Sequence, residues 1–385
     1  MKNNKLPGKH VYLTFECSGG MLHYAANLAA SAGKEHEGAL AFFTSGADNS
    51  RPAADMDVIE LKKSPSWARH VFLEKYNIFY YRKKARQLMS GGLPSLVHFT
   101  SYSEGLLAFI KYLSRSGVKT VFTVHDPMPH EENMTTWGRI FNTYKLKYQL
   151  PQVLKSVDAI HVHSEMHRDA LVILYGGLVE RKIYVVQHGG GIPDSVKAGN
   201  KAPVEIKDRL SGNYTILFFG RIHPYKGLQC LEDAARIVRG KGLKMNLVVA
   251  GDGNLNGLFN VDSEENIVIN RFLEDCELAS LFKSAHAVVL PYISATQSGV
   301  IPMAYAFGKP VICANVGALK ELVRDRETGL LVPPRDAAAL ADAIISLSDE
   351  NIQKKMGAAA RRYIEEEISW SSIASRHLEE YRSIM

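Results

Sequence analysis

Short apolar runs recur along the chain and alternate with segments of helical spacing. Runs of four to six apolar or β-branched residues between polar or Gly-containing turns are typical of strands buried on both faces of a parallel sheet. Because strands and helices alternate, the first half predicts an α/β domain with crossover helices. Its predicted strands lie at 10–15, 39–44, 58–61, 96–100, 121–124, 159–162 and 183–186.

A second series of the same kind begins at Tyr214, after a polar, Lys-containing stretch that extends to about Lys207 and predicts a connection between domains. Two doubly wound, Rossmann-like parallel sheets facing each other would leave an interdomain cleft, the usual place for a ligand. The segment 351–385 has helical spacing and alternating charge and predicts surface helices. The second set of predicted strands lies at 216–219, 246–250, 267–269, 287–290, 310–314 and 329–332.

Composition narrows the class of protein. The 385 residues are 46% hydrophobic and 22% charged, which suits two globular domains with real cores. A net charge of +6 favours anionic partners but is too weak to indicate nucleic-acid binding. The four cysteines are widely spaced without a CxxC, which favours a reducing cytosol. The first ten residues are polar, and no apolar run approaches the roughly 20 residues of a membrane span, so we expect neither a signal peptide nor an integral membrane protein.

A basic loop follows the first strand of the second series. The strand ends at Gly220, and Arg221 and Lys226 lie on a short turn before a helical segment that begins near Leu228. Parallel strands deliver their carboxyl ends where α/β sheets bind ligands. A guanidinium beside an ammonium suits a polyanion such as a diphosphate, although a solvated basic turn would have the same composition.

Five motifs occur in order in the second half: FGRIHPYKGL at 219–228, VAGDG at 249–253, LP at 290–291, AYAFGKPVI at 304–312 and GALKELVRDRETGLLVPP at 317–334. They resemble the donor half of the retaining glycosyltransferases of family 4. In the first half, VHDP at 124–127 resembles the histidine motif of the same group, especially of members that build bacterial surface polysaccharides. The resemblance implies the GT-B fold, with an acceptor-binding domain at 1–195, a nucleotide-sugar-binding domain at 196–365, and a C-terminal helix at 366–385 packing back toward the first domain. It covers nearly the whole chain and is strongest from 215 to 336.

The resemblance also implies roles for single residues. Arg221 and Lys226 would hold the donor diphosphate, so that no metal or other cofactor is required. His125 would touch the donor sugar near the reacting centre, with His130 as a possible helper, and Gly19 and Gly20, taken to end the first strand, would allow a close approach of acceptor or phosphate. The next helix would be opened by Gln297, Ser298, Gly299 and Val300, whose free backbone N–H groups favour phosphate.

The chain departs from the family pattern at two acidic positions. The family usually places two glutamates eight positions apart, the first reaching the sugar and the second the ribose, but these positions are Ala295 and Met303 here. Neither side chain accepts a hydrogen bond from a hydroxyl. Gln297 is the best substitute near the sugar, and Glu321 is a further donor-binding candidate with a helix-surface carboxylate as its alternative. The departure leaves a nucleotide-sugar-binding pseudoenzyme open.

The expected reaction is transfer of a sugar, with retained configuration, from a nucleotide sugar to a saccharide or lipid-linked acceptor. A basic and aromatic stretch from Lys62 to Arg86 suits an anionic membrane surface, which would place a cytoplasmic protein at the inner face of the membrane; a solvated helix with core aromatics would look similar. A nucleotide-sugar epimerase of the same architecture is the nearest rival. The sequence lacks the GxGxxG spacing that a nicotinamide-dependent oxidoreductase would use. A metal-dependent glycosyltransferase of the other fold would need an Asp-x-Asp at a strand end, but Asp55 and Asp57 precede a strand in the acceptor half.

Overall fold

The computed structural model divides the chain into two compact units. One comprises residues 1–189 together with 370–385, and the other comprises residues 190–369. The structure describes residues 8–16, 19–44, 57–62, 78–103, 105–127, 145–192, 196, 199, 201–206, 209–210, 213–255, 257–259 and 266–385.

Every strand that the apolar runs predict is present, with its ends shifted by two residues at most. The strands are β1 (His10–Thr14), β2 (Gly38–Thr44), β3 (Asp57–Lys62), β4 (Leu96–Phe99), β5 (Lys119–Thr123), β6 (Ala159–Val162), β7 (Ile183–Val185), β8 (Tyr214–Phe219), β9 (Met245–Ala250), β10 (Asn266–Ile269), β11 (Ala287–Leu290), β12 (Val311–Ala314) and β13 (Gly329–Val332).

Helices fill the connections between these strands. The α-helices of the described residues are α1 (Gly19–Ala32), α2 (Ile78–Met89), α3 (Leu106–Arg115), α4 (Leu150–Ser156), α5 (Glu165–Tyr175), α6 (Leu228–Gly240), α7 (Asp275–Ser284), α8 (Val300–Ala306), α9 (Leu319–Leu322), α10 (Ala337–Ser346), α11 (Glu350–Glu366) and α12 (Trp370–Ile384).

Both sheets are parallel and doubly wound, as predicted. The first unit has the order β3-β2-β1-β4-β5-β6-β7, and the second has β10-β9-β8-β11-β12-β13. In each sheet the chain adds two strands on one side of its first strand and then adds the remaining strands on the other side. The reversal lies between β1 and β4 in the first sheet and between β8 and β11 in the second, and loops at such points bind ligands in α/β proteins.

The C-terminal helix α12 is part of the first unit's core. It packs against α1 on one face of the first sheet, and its buried residues include Ile373, Leu378 and Tyr381. The prediction of surface helices over 351–385 did not identify this buried stripe of α12. Its charged positions alternate on the outer side while the apolar stripe faces the sheet, which is the usual pattern of an amphipathic helix.

Candidate functional site

The basic loop after β8 adopts a conformation that depends on glycine at both ends. Gly220 has φ +129° and Gly227 has φ +71°, both in the region that residues with a side chain rarely adopt. Between them, Pro224–Lys226 form one turn of 3-10 helix, and α6 begins directly afterwards at Leu228. The strand, turn and helix predicted from the sequence are all present.

Neighbouring loops hold this turn from two sides. On the β9 side, Ile222 donates its backbone N–H to the Asp252 carbonyl over 2.8 Å, and a Cβ at Gly251 would lie 2.0 Å from the Gly220 oxygen. On the β11 side, a Cβ at Gly227 would lie only 1.9 Å from the Pro291 oxygen. The turn is therefore clamped between the carboxyl ends of β9 and β11, where only glycine permits the close approach.

Arg221 and Lys226 lie near each other on this turn. Arg221 is exposed and Lys226 is buried, and no carboxylate of the described residues forms an ion pair with either. Burial, and next the nearby charge of Arg221, lower the pKa of Lys226 to about 8. Two uncompensated cations in one partly buried place attract an anion.

Aromatic rings surround the buried ammonium. Lys226 Nζ lies 3.7 Å from the ring centroid of Tyr292, which follows β11, and 5.1 Å from that of Tyr225. Tyr292 is fully buried. The sequence analysis missed Tyr292, because nothing in its neighbourhood signals a contact with a lysine 66 positions earlier.

The turn at 297–300 adjoins the same loop. A Cβ on Gly220 would lie 3.9 Å from Val300 Cγ2, which places the first residue of α8 beside the basic turn. Ser298 is buried and its hydroxyl accepts from the Val300 N–H over 3.4 Å, while Gln297 is half-buried and Gly299 precedes the helix. The predicted residues of this turn are thus brought to the end of β11, next to the strand that carries Arg221.

Glu321 lies beyond the next strand along the sheet, β12. It lies half-buried on the short helix α9, which follows β12. The loop before it packs tightly on the β11 loop, since a Cβ at Gly317 (φ +52°) would lie 1.7 Å from the Ala295 oxygen. The two positions that lack the family's glutamates, Ala295 and Met303, pack against the second unit's hydrophobic core.

In the first unit, Gly19 and Gly20 do not end the first strand as expected. The strand β1 ends at Thr14, and the two glycines are the first residues of α1. They therefore lie at the amino end of a helix that follows the strand at the reversal point of the first sheet. The two glycines thus begin a helix instead of ending a strand, and their role in ligand binding stays a prediction.

His125 lies just after β5 with both ring nitrogens bonded inside its own unit. Its Nε2 is 2.8 Å from the Thr100 carbonyl oxygen, which only accepts, so this nitrogen carries the proton. The Nδ1 atom therefore accepts, and His163 Nε2 donates to it over 2.8 Å. Burial lowers the pKa of His125 to about 4. A neutral imidazole with no free nitrogen is a poor general base, and the contact of His125 with the donor sugar stays a prediction.

A second chain of buried polar groups crosses the same sheet. Tyr381 of α12 donates to His98 Nδ1 over 2.6 Å, and His98 Nε2 donates to Thr123 Oγ1 over 2.7 Å. Thr123 in turn donates to His161 Nδ1 over 3.0 Å, and His161 Nε2 donates to the Val186 carbonyl over 2.8 Å. Every member has a partner, which is the condition under which buried polar groups are tolerated. This series of hydrogen bonds links α12 to the first sheet.

Some sequence predictions fall outside the described residues: His130, Asp55 and the part of the basic and aromatic stretch at 63–77. Asp57 is the first residue of β3, and its carboxylate pairs with Lys9 at 2.5 Å. Of the helices in the described part of the chain, none combines the length and the hydropathy that a bilayer crossing needs.

Two family models match the chain in the order that the motifs suggested. The model described as Glycosyltransferase Family 4 matches residues 18–189, and the model described as Glycosyl transferases group 1 matches residues 213–350. The chain belongs to glycosyltransferase family 4. Membership confirms the resemblance drawn from the motifs, while the roles of single residues remain predictions.

Relatives with a named activity cover part of this family 4 chain. A D-inositol 3-phosphate glycosyltransferase of Paenarthrobacter aurescens is 30% identical over 230 residues, 56% of this chain and 54% of the relative. A phosphatidyl-myo-inositol mannosyltransferase of Mycobacterium leprae is 30% identical over 174 residues, 44% of this chain and 46% of the relative. The chain thus spans about half the length of these relatives.

Solved structures resemble the chain over nearly its whole length. Anabaena HepE, solved in complex with UDP, has a TM-score of 0.71 at 15% identity and covers 97% of this chain and 100% of its own. Sucrose-phosphate synthase of Thermosynechococcus elongatus has a TM-score of 0.68 at 19% identity, covering 98% of this chain and 99% of its own. With its two parallel-sheet domains, the family 4 chain has the GT-B fold that the sequence predicted.

Proposed function

We propose that this protein is a metal-independent, retaining glycosyltransferase that uses a nucleotide-sugar donor. The observation that carries the proposal is the pairing of Arg221 with Lys226 at the reversal point of the second sheet, without a carboxylate partner among the described residues. The pair supplies the positive charge that a nucleoside diphosphate needs. Family membership and the UDP complex of HepE support the same ligand class.

The proposed reaction breaks the bond between the anomeric carbon and the diphosphate oxygen. A bond from that carbon to an acceptor hydroxyl oxygen forms on the same face, and the hydroxyl proton passes to the leaving phosphate. Negative charge grows on the diphosphate as the bond breaks, so Arg221 and Lys226 stabilise the transition state more than the ground state. The turn at 297–300 would add backbone donors, with Gln297 toward the sugar, and Glu321 and the glycines Gly19 and Gly20 remain donor-binding candidates.

The acceptor is proposed to be a saccharide or a lipid-linked saccharide. The relatives named above are a D-inositol 3-phosphate glycosyltransferase and a phosphatidyl-myo-inositol mannosyltransferase, so a phosphorylated polyol and its lipid form belong in the acceptor panel. An acceptor anchored in lipid would suit a protein at the inner face of the cell membrane.

The described end of the basic and aromatic stretch supports the membrane part of the proposal. In α2, Phe79 is 77% exposed, and Lys83 and Arg86 lie on the exposed side with it. The helix contains no acidic residue. An aromatic ring flanked by cations suits an anionic lipid surface. We expect Lys83→Glu with Arg86→Glu to abolish cosedimentation with phosphatidylglycerol vesicles, whereas the matched pair Lys355→Glu with Arg362→Glu on α11 should not. Equal binding by both double variants would contradict a membrane role for α2.

The absence of the family's two glutamates favours one alternative, a nucleotide-sugar-binding pseudoenzyme. Because Ala295 and Met303 pack against the core and offer no acceptor to a sugar or ribose hydroxyl, the protein would bind nucleotide sugars without transferring them if these contacts are essential. Binding and turnover must therefore be measured separately.

The test combines calorimetry with product analysis. UDP-, GDP- and ADP-sugars are titrated into the whole protein with and without EDTA, and the sugar that binds is then incubated with the acceptor panel. We expect binding that EDTA does not weaken, a product of retained anomeric configuration by NMR, and a loss of turnover by orders of magnitude in Arg221→Ala and Lys226→Ala. Binding without product would favour the pseudoenzyme, and an altered free nucleotide sugar would favour an epimerase. Undiminished turnover in both variants would refute the assignment.

A further inference from the structure

Lys226 is a buried cation that no carboxylate of the described residues compensates. Its side chain is among the buried polar groups of the second unit, and 9% of the residue is exposed. An ammonium taken out of water is costly unless something replaces its hydration. Arg221 adds repulsion, since its charge lowers the pKa of Lys226 further. Some other group must therefore hold the ammonium in place.

The aromatic face of Tyr292 is the group in contact. The distance of 3.7 Å from Lys226 Nζ to the ring centroid is well inside the 6 Å or so at which a ring face attracts a cation. Tyr225 is a weaker neighbour, because its centroid is 5.1 Å away and it lies half-buried on the same turn as the lysine. The two rings are nearly perpendicular, at 83°.

Tyr292 is also the better fixed of the two rings. It is fully buried, and the next residue, Ile293, donates its N–H to the Tyr225 carbonyl over 2.8 Å. Burial raises the pKa of the Tyr292 hydroxyl. The ring follows β11 and lies against Lys226, so it joins the basic turn after β8 to the loop after β11.

We propose that Tyr292 is the positioning residue of the donor site, its ring face holding the Lys226 ammonium charged and aimed for the diphosphate. The inference rests on the proposed function and adds the residue that prepares the cation before the donor arrives. It assigns to a tyrosine the support that a lysine usually receives from a carboxylate. A carboxylate would neutralise the charge that the diphosphate needs, whereas an uncharged ring leaves it available.

Three groups act on the ammonium. Arg221 and Tyr225 come from its own turn, and Tyr292 follows β11. Of these only the arginine disfavours the ammonium by a permanent charge. The ring of Tyr292 acts in the opposite direction, since its negative face favours the charged lysine.

The experiment measures inorganic pyrophosphate and UDP binding to the whole protein by calorimetry between pH 6 and 9.5. The variants are Tyr292→Phe, Tyr292→Leu, Lys226→Met and the double variant Tyr292→Leu with Lys226→Met. Tyr363→Leu is the matched control, because Tyr363 lies 4.4 Å under the Arg324 guanidinium in the same unit but outside the site. Pyrophosphate reports on the cations without any contribution from a base.

We expect Tyr292→Phe and Tyr363→Leu to bind like the wild type and Tyr292→Leu to bind pyrophosphate about tenfold more weakly. In Tyr292→Leu the fall in affinity at alkaline pH should begin at lower pH, because the buried ammonium loses the ring that favours its charged form. In the Lys226→Met background, Tyr292→Leu should have no further effect, since its target is gone.

Three results would overturn the inference. They are unchanged affinity and pH profile in Tyr292→Leu, an equal effect of that change with and without Lys226, and a loss in Tyr292→Phe as large as in Tyr292→Leu. If the wild type binds neither pyrophosphate nor UDP, the proposed function fails as well. Should Tyr292→Leu not fold, increasingly fluorinated phenylalanines at position 292 keep the ring's shape while weakening its negative face. Affinity should then fall with fluorination, and constant affinity would contradict the proposal.

Discussion

His163 donates a hydrogen bond from Nε2 to Nδ1 of His125 over 2.8 Å. Together with the bond from His125 Nε2 to the Thr100 carbonyl, this contact fixes the ring orientation and the tautomer of His125. The residue that the family resemblance placed nearest the chemistry is therefore held by a second histidine, on the neighbouring strand's end.

Replacing His163 should release this constraint. In His163→Phe the buried Nδ1 of His125 loses its donor, which we expect to cost about 1–3 kcal/mol of unfolding free energy. His163→Gln keeps a donor and should cost less. Urea unfolding measures both. In the wild type, long-range ¹H–¹⁵N NMR should show His125 neutral with its proton on Nε2 down to about pH 4, in line with its lowered pKa. A His125 ring that titrates near its ordinary value would contradict the geometry.

The buried histidines predict a loss of stability in mild acid. Burial lowers the pKa of His98, His161 and His377 well below 6.5, and that of His10 to about 3. Below about pH 6.5 the unfolded chain binds protons that the folded chain does not, so the free energy of unfolding falls as the pH falls. Urea titrations at pH 7.5, 6.5 and 5.5 should show this slope, and a flat profile would contradict neutral burial.

A substitution at His10 tests how much one of these buried histidines contributes to the pH dependence of stability. Both its ring nitrogens are buried without a hydrogen-bond partner among the described residues, beside the ring of His36 at 4.0 Å. His10→Phe keeps a ring in β1 and removes the unpaired nitrogens, so it should stabilise the protein. The advantage over the wild type should grow by about 1 kcal/mol between pH 7.5 and 5.5, because one group no longer resists protonation. A constant difference across this range would refute the assignment.

Gly227 should be intolerant of any side chain. A Cβ there would lie 1.9 Å from the Pro291 oxygen, and φ is +71°. Gly227→Ala therefore combines backbone strain with a steric clash against main chain, and we expect more than about 2 kcal/mol of destabilisation together with weakened pyrophosphate binding. Gly242→Ala is the control, since φ is +85° but no atom of the described residues lies within 4 Å of its Cβ position. It should cost about 1 kcal/mol and leave binding intact. Equal effects of the two changes would contradict the clamped turn.

Arg335 should be replaceable by glycine with a gain in stability. Its φ of +61° is in the left-handed region, and its side chain is exposed after Pro333 and Pro334. Arg335→Gly relieves strain of about 1 kcal/mol, partly offset by the greater freedom of glycine in the unfolded chain, so Tm should rise slightly. Arg362→Gly, at an exposed position inside α11, should lower the unfolding free energy by about 1 kcal/mol. A fall in Tm for both would contradict the argument.

The sequence by itself determined the α/β class and the strands of both sheets. Most strands are apolar runs, and prediction and structure agree at both ends of 159–162, 287–290 and 329–332, of which the first two are buried throughout. It also determined the turn that carries Arg221 and Lys226, because the glycines that bound it are needed locally.

Only the tertiary structure decided which partners these groups have. Tyr292 lies under Lys226, and His163 beside His125, because parallel strands distant in the sequence end at the same edge of a sheet. Likewise, the sequence marks 351–385 as helical, but only the structure shows that Tyr381 of α12 donates to His98 on the first sheet. Local patterns record which residues must be buried, but the contacts between buried residues depend on strand order, and strand order is set by packing over the whole domain.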